Sequence, residues 1–385
     1  MRQELNRRKF LQLSSAAAVG IASGSVLTSC MGTYNPKLLN SIWDTPFAKA
    51  TSTEDQIFRE IVRCGVMAPS GHNAQPWKFR IDDKKIYIYP DMERRTPIVD
   101  PYNREMYISL GCAIRNMMIG AEHYGYKTEL ELNLKEKSIE DEIVLKLTPL
   151  TYKTVSDSLQ AMILRQTTRN EYQSKKIDAD ILKRISSYGN NSNQISELTG
   201  NITTDIYQDK KSFDLFLDYV KEGNRIQLNN SAYFNELKDW IRFSDSEAEE
   251  KLDGLYSRAI GQSSTSRWLG KLNMNLGTTD ITQTRTDTKL IRSAPLLMAF
   301  FSIDSREDWI KTGILLEYKL ISITNENLKY AFHNQPCEVI GLRKDFSREF
   351  GHKDKMPQVV IRLGYSTFLP RSPRRKLSDV IIGSP

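Results

Sequence analysis

Cysteine and histidine are both scarce in this 385-residue chain, with four of each. Cys30, Cys64, Cys112 and Cys337 are too few for a disulfide-built scaffold. Cys64 and Cys112 fall in apolar helical patterns, which predicts buried free thiols. His72, His123, His333 and His352 are scattered, with no cysteine or carboxylate at ligand spacing, so no metal site is expected. No apolar run reaches the roughly 20 residues that a membrane-spanning helix needs. Strong charge is missing as well. The formal balance is +7, and Arg2, Arg7, Arg8 and Lys9 against Glu4 account for part of it, so the rest of the chain is near +4. No Lys/Arg block is interleaved with aromatics, and nucleic acid is not an expected partner.

What is present begins with an address. Asn6-Arg7-Arg8-Lys9-Phe10-Leu11-Gln12 sets paired arginines before a weakly apolar Ala/Gly/Ser-rich run from Leu13 to Leu27, the pattern of a twin-arginine export signal. The run ends in Leu27-Thr28-Ser29-Cys30, which resembles a bacterial lipobox. The expectation is export by the twin-arginine translocase, a lipid anchor on Cys30 and a periplasmic or cell-envelope location. An ordinary signal with a chance cysteine is the alternative. Residues 1–30 form the signal and 31–52 a linker; removing residues 1–29 leaves about 356, enough for one large or two ordinary domains.

The remainder reads as two similar α+β halves, 53–150 and 151–385. Ile57, Phe58, Ile61 and Val62 have helical spacing behind a cap at Ser52 or Thr53. Trp77–Ile81 and Lys85–Tyr89 alternate as a hairpin joined by Asp82-Asp83, a long apolar helix spans about 102–122, and strands follow near 127–134 and 142–149. The second half has a helix near 155–165, a buried strand at Ala294–Phe301, a helix through Ile310 and Ile321, and a last strand at Gln358–Leu363. Ile108-x-x-Gly111-x-x-Ile114 recurs as Ile310-x-x-Gly313-x-x-Leu316, an offset of 202 residues. Such a glycine lets another helix come close. The polar, helical stretch at about 209–290 has no counterpart in the first half and reads as an insertion able to cover a site.

Two segments carry the chemistry. In Ala68–Trp77, small, Pro-fixed and amide-bearing residues, among them Pro69, Ser70, Asn73 and Gln75, form a loop that presents donors and acceptors to a flat heterocycle. Arg165-Gln166-Thr167-Thr168-Arg169 sets two guanidiniums around a hydroxyl, a fork suited to phosphate. The bland alternatives are an ordinary polar turn and a solvated helix end. His72 has the chemistry of a general acid but reads as a bystander. Asp91, Arg94, Asp100 and Arg104 read as a structural ion-pair cluster.

Pro69-Ser70-x-x-Asn73-x-Gln75-Pro76-Trp77 and Arg165-x-Thr167-x-Arg169 resemble the hallmarks of the nitroreductase superfamily of flavin mononucleotide (FMN) proteins. Asp91-x-x-Arg94, Asp100-Pro101, Arg104-Glu105, Gln335-Pro336, Pro357-Gln358, Arg362-Leu363-Gly364 and Pro373-Arg374-Arg375 resemble its fused, Acg-type branch. The resemblance implies a nitroreductase-like fold in which one monomeric chain mimics the family's homodimer and keeps a single complete site. It further implies that Arg165, Thr167 and Arg169, with Arg374 or Arg375, clamp the FMN phosphate. Ser70, Asn73 and Gln75 would bond the ring or ribityl chain, and Gln335 and Pro336 would lie by the reactive flavin nitrogen, with plain loop chemistry as their alternative. No first-half Arg-x-Ser-x-Arg exists, although Arg59 and Arg63 are present.

The implied function is an oxidoreductase passing electrons from reduced flavin to a small acceptor, a nitroaromatic or quinone. Flavin carries the hydride chemistry and no catalytic side chain is required. Because nicotinamide nucleotides are not expected outside the cytoplasm, export points to an unidentified electron donor. A flavin-sequestering protein with a lid and little turnover is the alternative, and a lipid-anchored partner-binding protein is a third.

Overall fold

Two sets of four strands, each with one long helix between its second and third strands, account for the architecture. The computed structural model describes residues 41–49, 51–135, 141–151, 158–187 and 193–383. The export signal, Cys30 and the linker up to residue 40 lie outside the described residues.

The first half opens with α1 (Ser41–Asp44) and α2 (Glu54–Val66). Thr53 caps α2 in a capping box: its hydroxyl accepts from Gln56 N at 3.3 Å, and the Gln56 side chain accepts from Thr53 N at 3.0 Å. Ile57, Phe58, Ile61 and Val62 are its buried stripe. β1 (Trp77–Asp82) and β2 (Lys85–Pro90) pair antiparallel with Asp82 opposite Lys85, so the turn is Asp83-Lys84, one residue later than the sequence suggests. Asp83 takes a φ of 50°, a left-handed conformation that Asp tolerates. The buried α3 (Arg104–His123) leads to β3 (Tyr126–Asn133) and β4 (Glu142–Pro149), giving a sheet ordered β1-β2-β4-β3.

The second half repeats this plan. After α4 (Ser158–Leu164), α5 (Ala179–Ser187) and α6 (Asn193–Thr199) comes β5 (Thr203–Tyr207), a strand the sequence reading missed. Where the first half has a two-residue turn, residues 208–295 now intervene. They hold α7 (Lys210–Leu228), α8 (Ser231–Trp240), β6 (Ile241–Arg242), α9 (Asp245–Lys251), β7 (Leu255–Tyr256), α10 (Arg267–Gly277) and α11 (Asp280–Arg292). Asp209, Asn230, Ser244 and Thr279 cap four of these helices with their side chains. Then follow β8 (Leu296–Ser302), α12 (Arg306–Asn325), β9 (Lys329–Phe332), α13 (Gln335–Glu338), α14 (Ile340–Glu349), β10 (Met356–Gly364) and α15 (Leu377–Val380). This sheet runs β5-β8-β10-β9, so each strand has its counterpart by position in the first sheet.

The halves are not separate domains. Residues 37–385 make one compact unit, and the main apolar core passes from Ile42 to Val380 through both sheets, with smaller clusters around Phe216 and Tyr256. At its centre α3 crosses α12 glycine on glycine. A Cβ on Gly111 would stand 2.8 Å from the Gly313 Cα and strike the Ile310 carbonyl oxygen; one on Gly313 would stand 2.8 Å from the Gly111 Cα and strike the Ile108 carbonyl oxygen. The repeated motif is therefore the contact point of two related helices.

Two isolated bridges extend the sheets, and the second of them joins the halves. Thr167 bridges Tyr330 at the β9 edge, and Ile381 bridges Phe79 at the β1 edge. Between them the C-terminal segment straps the first half: Trp43 Nε1 donates to Ser372 O at 3.1 Å, and Ile382 N donates to Phe79 O at 2.7 Å.

Candidate functional site

Where the two halves and the insertion meet lies a cavity of about 1130 Å3. Ile108 and Cys112 of α3 and Leu316 of α12 form one wall, on either side of the glycine crossing. Pro69 to His72 come from the first half, and Arg169, Asn170, His333, Asn334, Gln335 and Arg362 from the second. The insertion supplies the opposite wall through residues such as Asn224, Tyr233, Phe243, Met274 and Asp287.

The structure sorts the sequence candidates sharply. Pro69, Ser70, Arg169 and Gln335 line the cavity; Asn73, Gln75, Arg165, Thr167, Pro336, Arg374 and Arg375 do not. Asn73 and Gln75 are latches. Asn73 Nδ2 donates to Gly254 O at 3.0 Å and to Pro373 O at 3.2 Å, while its Oδ1 accepts from Arg374 Nη1 at 2.8 Å. Gln75 Nε2 donates to Leu252 O at 2.8 Å, and its Oε1 accepts from Arg375 N at 2.8 Å. These amides tie the loop to the insertion and to the C-terminal strap, which engages their N–H donors within the protein. They also hold a strained turn, since His72, Asn73 and Gln75 have φ values of 49°, 54° and 53°. Ser70 Oγ, accepting from Gln75 N at 3.0 Å, closes the same turn.

The expected fork is also divided. Arg165 is buried in an ion pair with Glu317 at 2.9 Å, donates to Met67 O at 2.8 Å and bonds the Tyr330 hydroxyl. A guanidinium so neutralised is structural. The Thr167 hydroxyl bonds Tyr330, and Arg374 and Arg375 donate to the Ala68 and Gln75 carbonyls respectively. Pro336 sits in the first turn of α13, where its missing N–H costs nothing. The acidic and basic residues after β2 also have structural roles, in separate ion pairs rather than one cluster: Arg94 pairs with Asp253, and Asp91 with Arg375 at 3.3 Å.

Arg169 differs from all of these. Among the described residues it makes no hydrogen bond or ion pair, and burial, reinforced by Arg362, disfavours its charge. Arg362, fully buried on β10, is its partner in the cavity: Nε donates to His333 Nε2 at 3.1 Å, Nη2 donates to Asn170 O at 2.8 Å, and Nη1 has no partner. Burial, then Arg362 and Arg169, push the His333 imidazole down to about 3, so it is neutral and able to accept. His72 is pushed down to about 4 by burial and by Arg169, which leaves it a neutral wall residue. The thiols of Cys64 and Cys337 are pushed up to about 12 by burial, and Cys112 rises for the same reason; all three are free.

This donor set fits an anionic, flat, hydrogen-bonding cofactor. Arg169 and the orphaned Arg362 Nη1 could offer charge to a phosphate, the buried and unpartnered Gln335 Oε1 could accept from a ring N–H, and Ile108 and Leu316 give an apolar face. Sequence reasoning missed Arg362, although an arginine inside the apolar strand Val359-Val360-Ile361-Arg362-Leu363 is the kind of residue that marks a buried site.

Known proteins resemble this chain in sequence. Residues 4–121 match a family described as "Putative TM nitroreductase". The chain is 24% identical over 349 residues to the Mycobacterium tuberculosis H37Rv protein named "Putative NAD(P)H nitroreductase Rv3131", covering 87% of this chain and 94% of the relative. It is 21% identical over 346 residues to "Putative NAD(P)H nitroreductase acg" of the same strain, covering 86% and 96%. The solved FMN-dependent nitroreductase NfnB from Mycobacterium smegmatis, in complex with NADPH, aligns at 14% identity over 59% of this chain and 97% of its own, with a TM-score of 0.37. The chain is thus similar to nitroreductases, and to the Acg-type proteins among them, over most of its length.

Proposed function

We propose that this chain is an FMN-dependent oxidoreductase of the nitroreductase type that passes electrons to a small nitroaromatic or quinone acceptor. The observation that carries this reading is the cavity itself, which joins the Pro69-Ser70 loop of one half to Arg169 and Gln335 of the other. At about 1130 Å3 it exceeds the usual range of about 300–1,000 Å3 for one small ligand, which leaves room for an acceptor beside the cofactor. Bound FMN supplies hydride transfer through its ring. Arg169 and Arg362 would hold its phosphate, and Pro69, Ser70 and Gln335 would bind and orient its ring. The insertion walls one side of the chamber. The names of the Acg-type relatives point to NAD(P)H as donor. The twin-arginine pattern and Cys30 support export and lipid anchoring, in which case the donor is a membrane or protein component instead.

A second reading, flavin storage under a closed lid, draws on one observation. The insertion is fastened to the first half by Asn73, Gln75, the Arg94–Asp253 pair and Glu236, whose carboxylate accepts from Ile98 N and Val99 N at 3.0 Å each. The test is to purify the chain from residue 31, record its visible spectrum and titrate it anaerobically with NADPH, NADH or dithionite, with and without quinone. A yellow protein whose bleached flavin reoxidises promptly only with quinone supports the enzyme. Flavin that binds but ignores quinone supports storage, and a protein that takes up no FMN overturns both.

A further inference from the structure

Two glutamates meet in the wall of this cavity, one from each half. Glu105 lies in the first turn of α3 and Glu338 ends α13; both line the cavity and are screened from solvent, and their carboxyl groups hydrogen-bond each other. An ionised carboxylate only accepts, so this contact requires a proton on one of the two. The neighbours allow one negative charge and oppose a second. Arg104 Nη2 donates to Glu105 Oε1 at 3.1 Å, and Gln227 Nε2 of α7 donates to Glu338 Oε2 at 2.6 Å. Arg104 is the cation at the pair, and Arg343 on α14 is a second cation facing the neighbouring Cys337; among the described residues Asp100 before α3, Cys337 on α13, Tyr233 and Glu236 on α8 and Asp287 on α11 are the other titratable groups facing the pair or its immediate neighbours. Burial, with Glu338 second and Arg104 opposing, pushes Glu105 up to about 7, and Glu338 is raised mainly by burial. The same wall asks for a ligand. Gln335 Oε1, one turn before Glu338, and the fully buried Arg362 Nη1 both lack partners.

We propose that Glu105 and Glu338 form a shared proton store that delivers one proton to the acceptor reduced in this cavity. This rests on the oxidoreductase reading above. For a quinone acceptor, two electrons and one proton arrive as a hydride equivalent from the reduced cofactor. The second proton comes from the pair: its carboxyl O–H bond breaks, an O–H bond forms on the acceptor oxygen, and two carboxylates remain beside Arg104. Water then reprotonates the pair. The store is full below about pH 7 and empties above it.

The test uses the whole chain with Glu105→Gln, Glu338→Gln and the conservative Glu105→Asp and Glu338→Asp. In flavin-free protein, infrared spectra across a pH titration should show a protonated-carboxyl C=O band that disappears as the pH passes about 7, absent from both Gln variants. In the FMN-loaded protein, kcat for quinone reduction should fall with rising pH above the same point. Each Gln variant should lose about 100-fold in kcat at little cost in KM and lose the break, and the Asp variants should restore it. Wild-type protein with no carboxyl titrating near neutral pH overturns the proposal, as do Gln variants that keep both rate and break while still binding FMN. If the chain takes up no FMN, the oxidoreductase reading fails and this proposal falls with it, whatever the infrared spectrum shows.

Discussion

Replacing Gly111 with alanine tests the helix crossing at the centre of the molecule. The new methyl would stand 2.8 Å from the Gly313 Cα and against the Ile310 carbonyl oxygen. Both obstacles are helix backbone, so no rotamer change relieves them and α3 must move from α12. Overpacking of this kind costs about 1–3 kcal/mol, and a rigid backbone obstacle argues for the upper end. The better helix propensity of alanine returns about 1 kcal/mol. The expected net loss is then about 1–2 kcal/mol, a five- to thirtyfold fall in the folding constant. Gly341→Ala is the control, because its helical glycine has open space around the missing Cβ. There propensity acts alone, and because Gly341 is the second residue of α14 stability should rise by less than the ~1 kcal/mol of a helix interior. Urea denaturation of the two variants against wild type reads both signs. If Gly111→Ala stabilises the protein as Gly341→Ala does, the helices are not in backbone contact and the crossing is wrongly described.

Three further outcomes are expected. Arg169→Ala should weaken FMN binding at least tenfold in a fluorescence titration, the scale of one charge-assisted hydrogen bond at about 1.5–3 kcal/mol, whereas Arg165→Ala should chiefly unfold the protein by stranding Glu317, at about 3–5 kcal/mol. A double Arg165→Ala/Arg169→Ala variant that folds with unchanged affinity would refute the site. Asn73→Ala unties the loop from Gly254 and the strap, so hydrogen exchange should quicken in residues 231–292 and quinone reduction should rise; unchanged exchange would show that the amide is no latch. Glu105 keeps its proton up to about 7 in the folded protein but only to about 4.3 in the unfolded chain. Its stabilising contribution is therefore complete below about pH 4.3 and is lost as the pH rises through about 7. Glu105→Gln should accordingly be the more stable protein at pH 8 by about 1–3 kcal/mol and lose that advantage near pH 4, read from denaturation midpoints.

Periodicity carried most of the fold. The Ile-x-x-Gly repeat located the helix crossing, and alternation found β1 and β2 to within a residue because Trp77 and Phe79 point into the core while Lys78 and Arg80 do not. β5 escaped because Thr203 to Tyr207 are all half-buried, which leaves no contrast between its faces. β9 escaped because four residues, three of them buried, give no period. For the site, the sequence supplied the types of side chain but not their partners. Arg165 and Arg169 look alike in the chain; what separates them is Glu317, on a helix of the second half, which claims one and leaves the other to the cavity. The partners of Asn73 and Gln75 were hidden for the same reason, since the carbonyls they bind belong to the insertion and the C-terminal strap. The Glu105 and Glu338 contact had no local signal at all.

The turn at Asp83-Lys84 and the insertion at 208–295 occupy equivalent places in the two sheets, and covalent fusion is what permits them to differ. In a homodimer any change is made twice, once on each side of the axis, so a roof grown over one site must grow over its twin and burden both. A single polypeptide escapes that rule. It can enclose one chamber with helices and leave the mirror position as bare hairpin. It can also change Gly111 or Gly313, Glu105 or Glu338, one at a time.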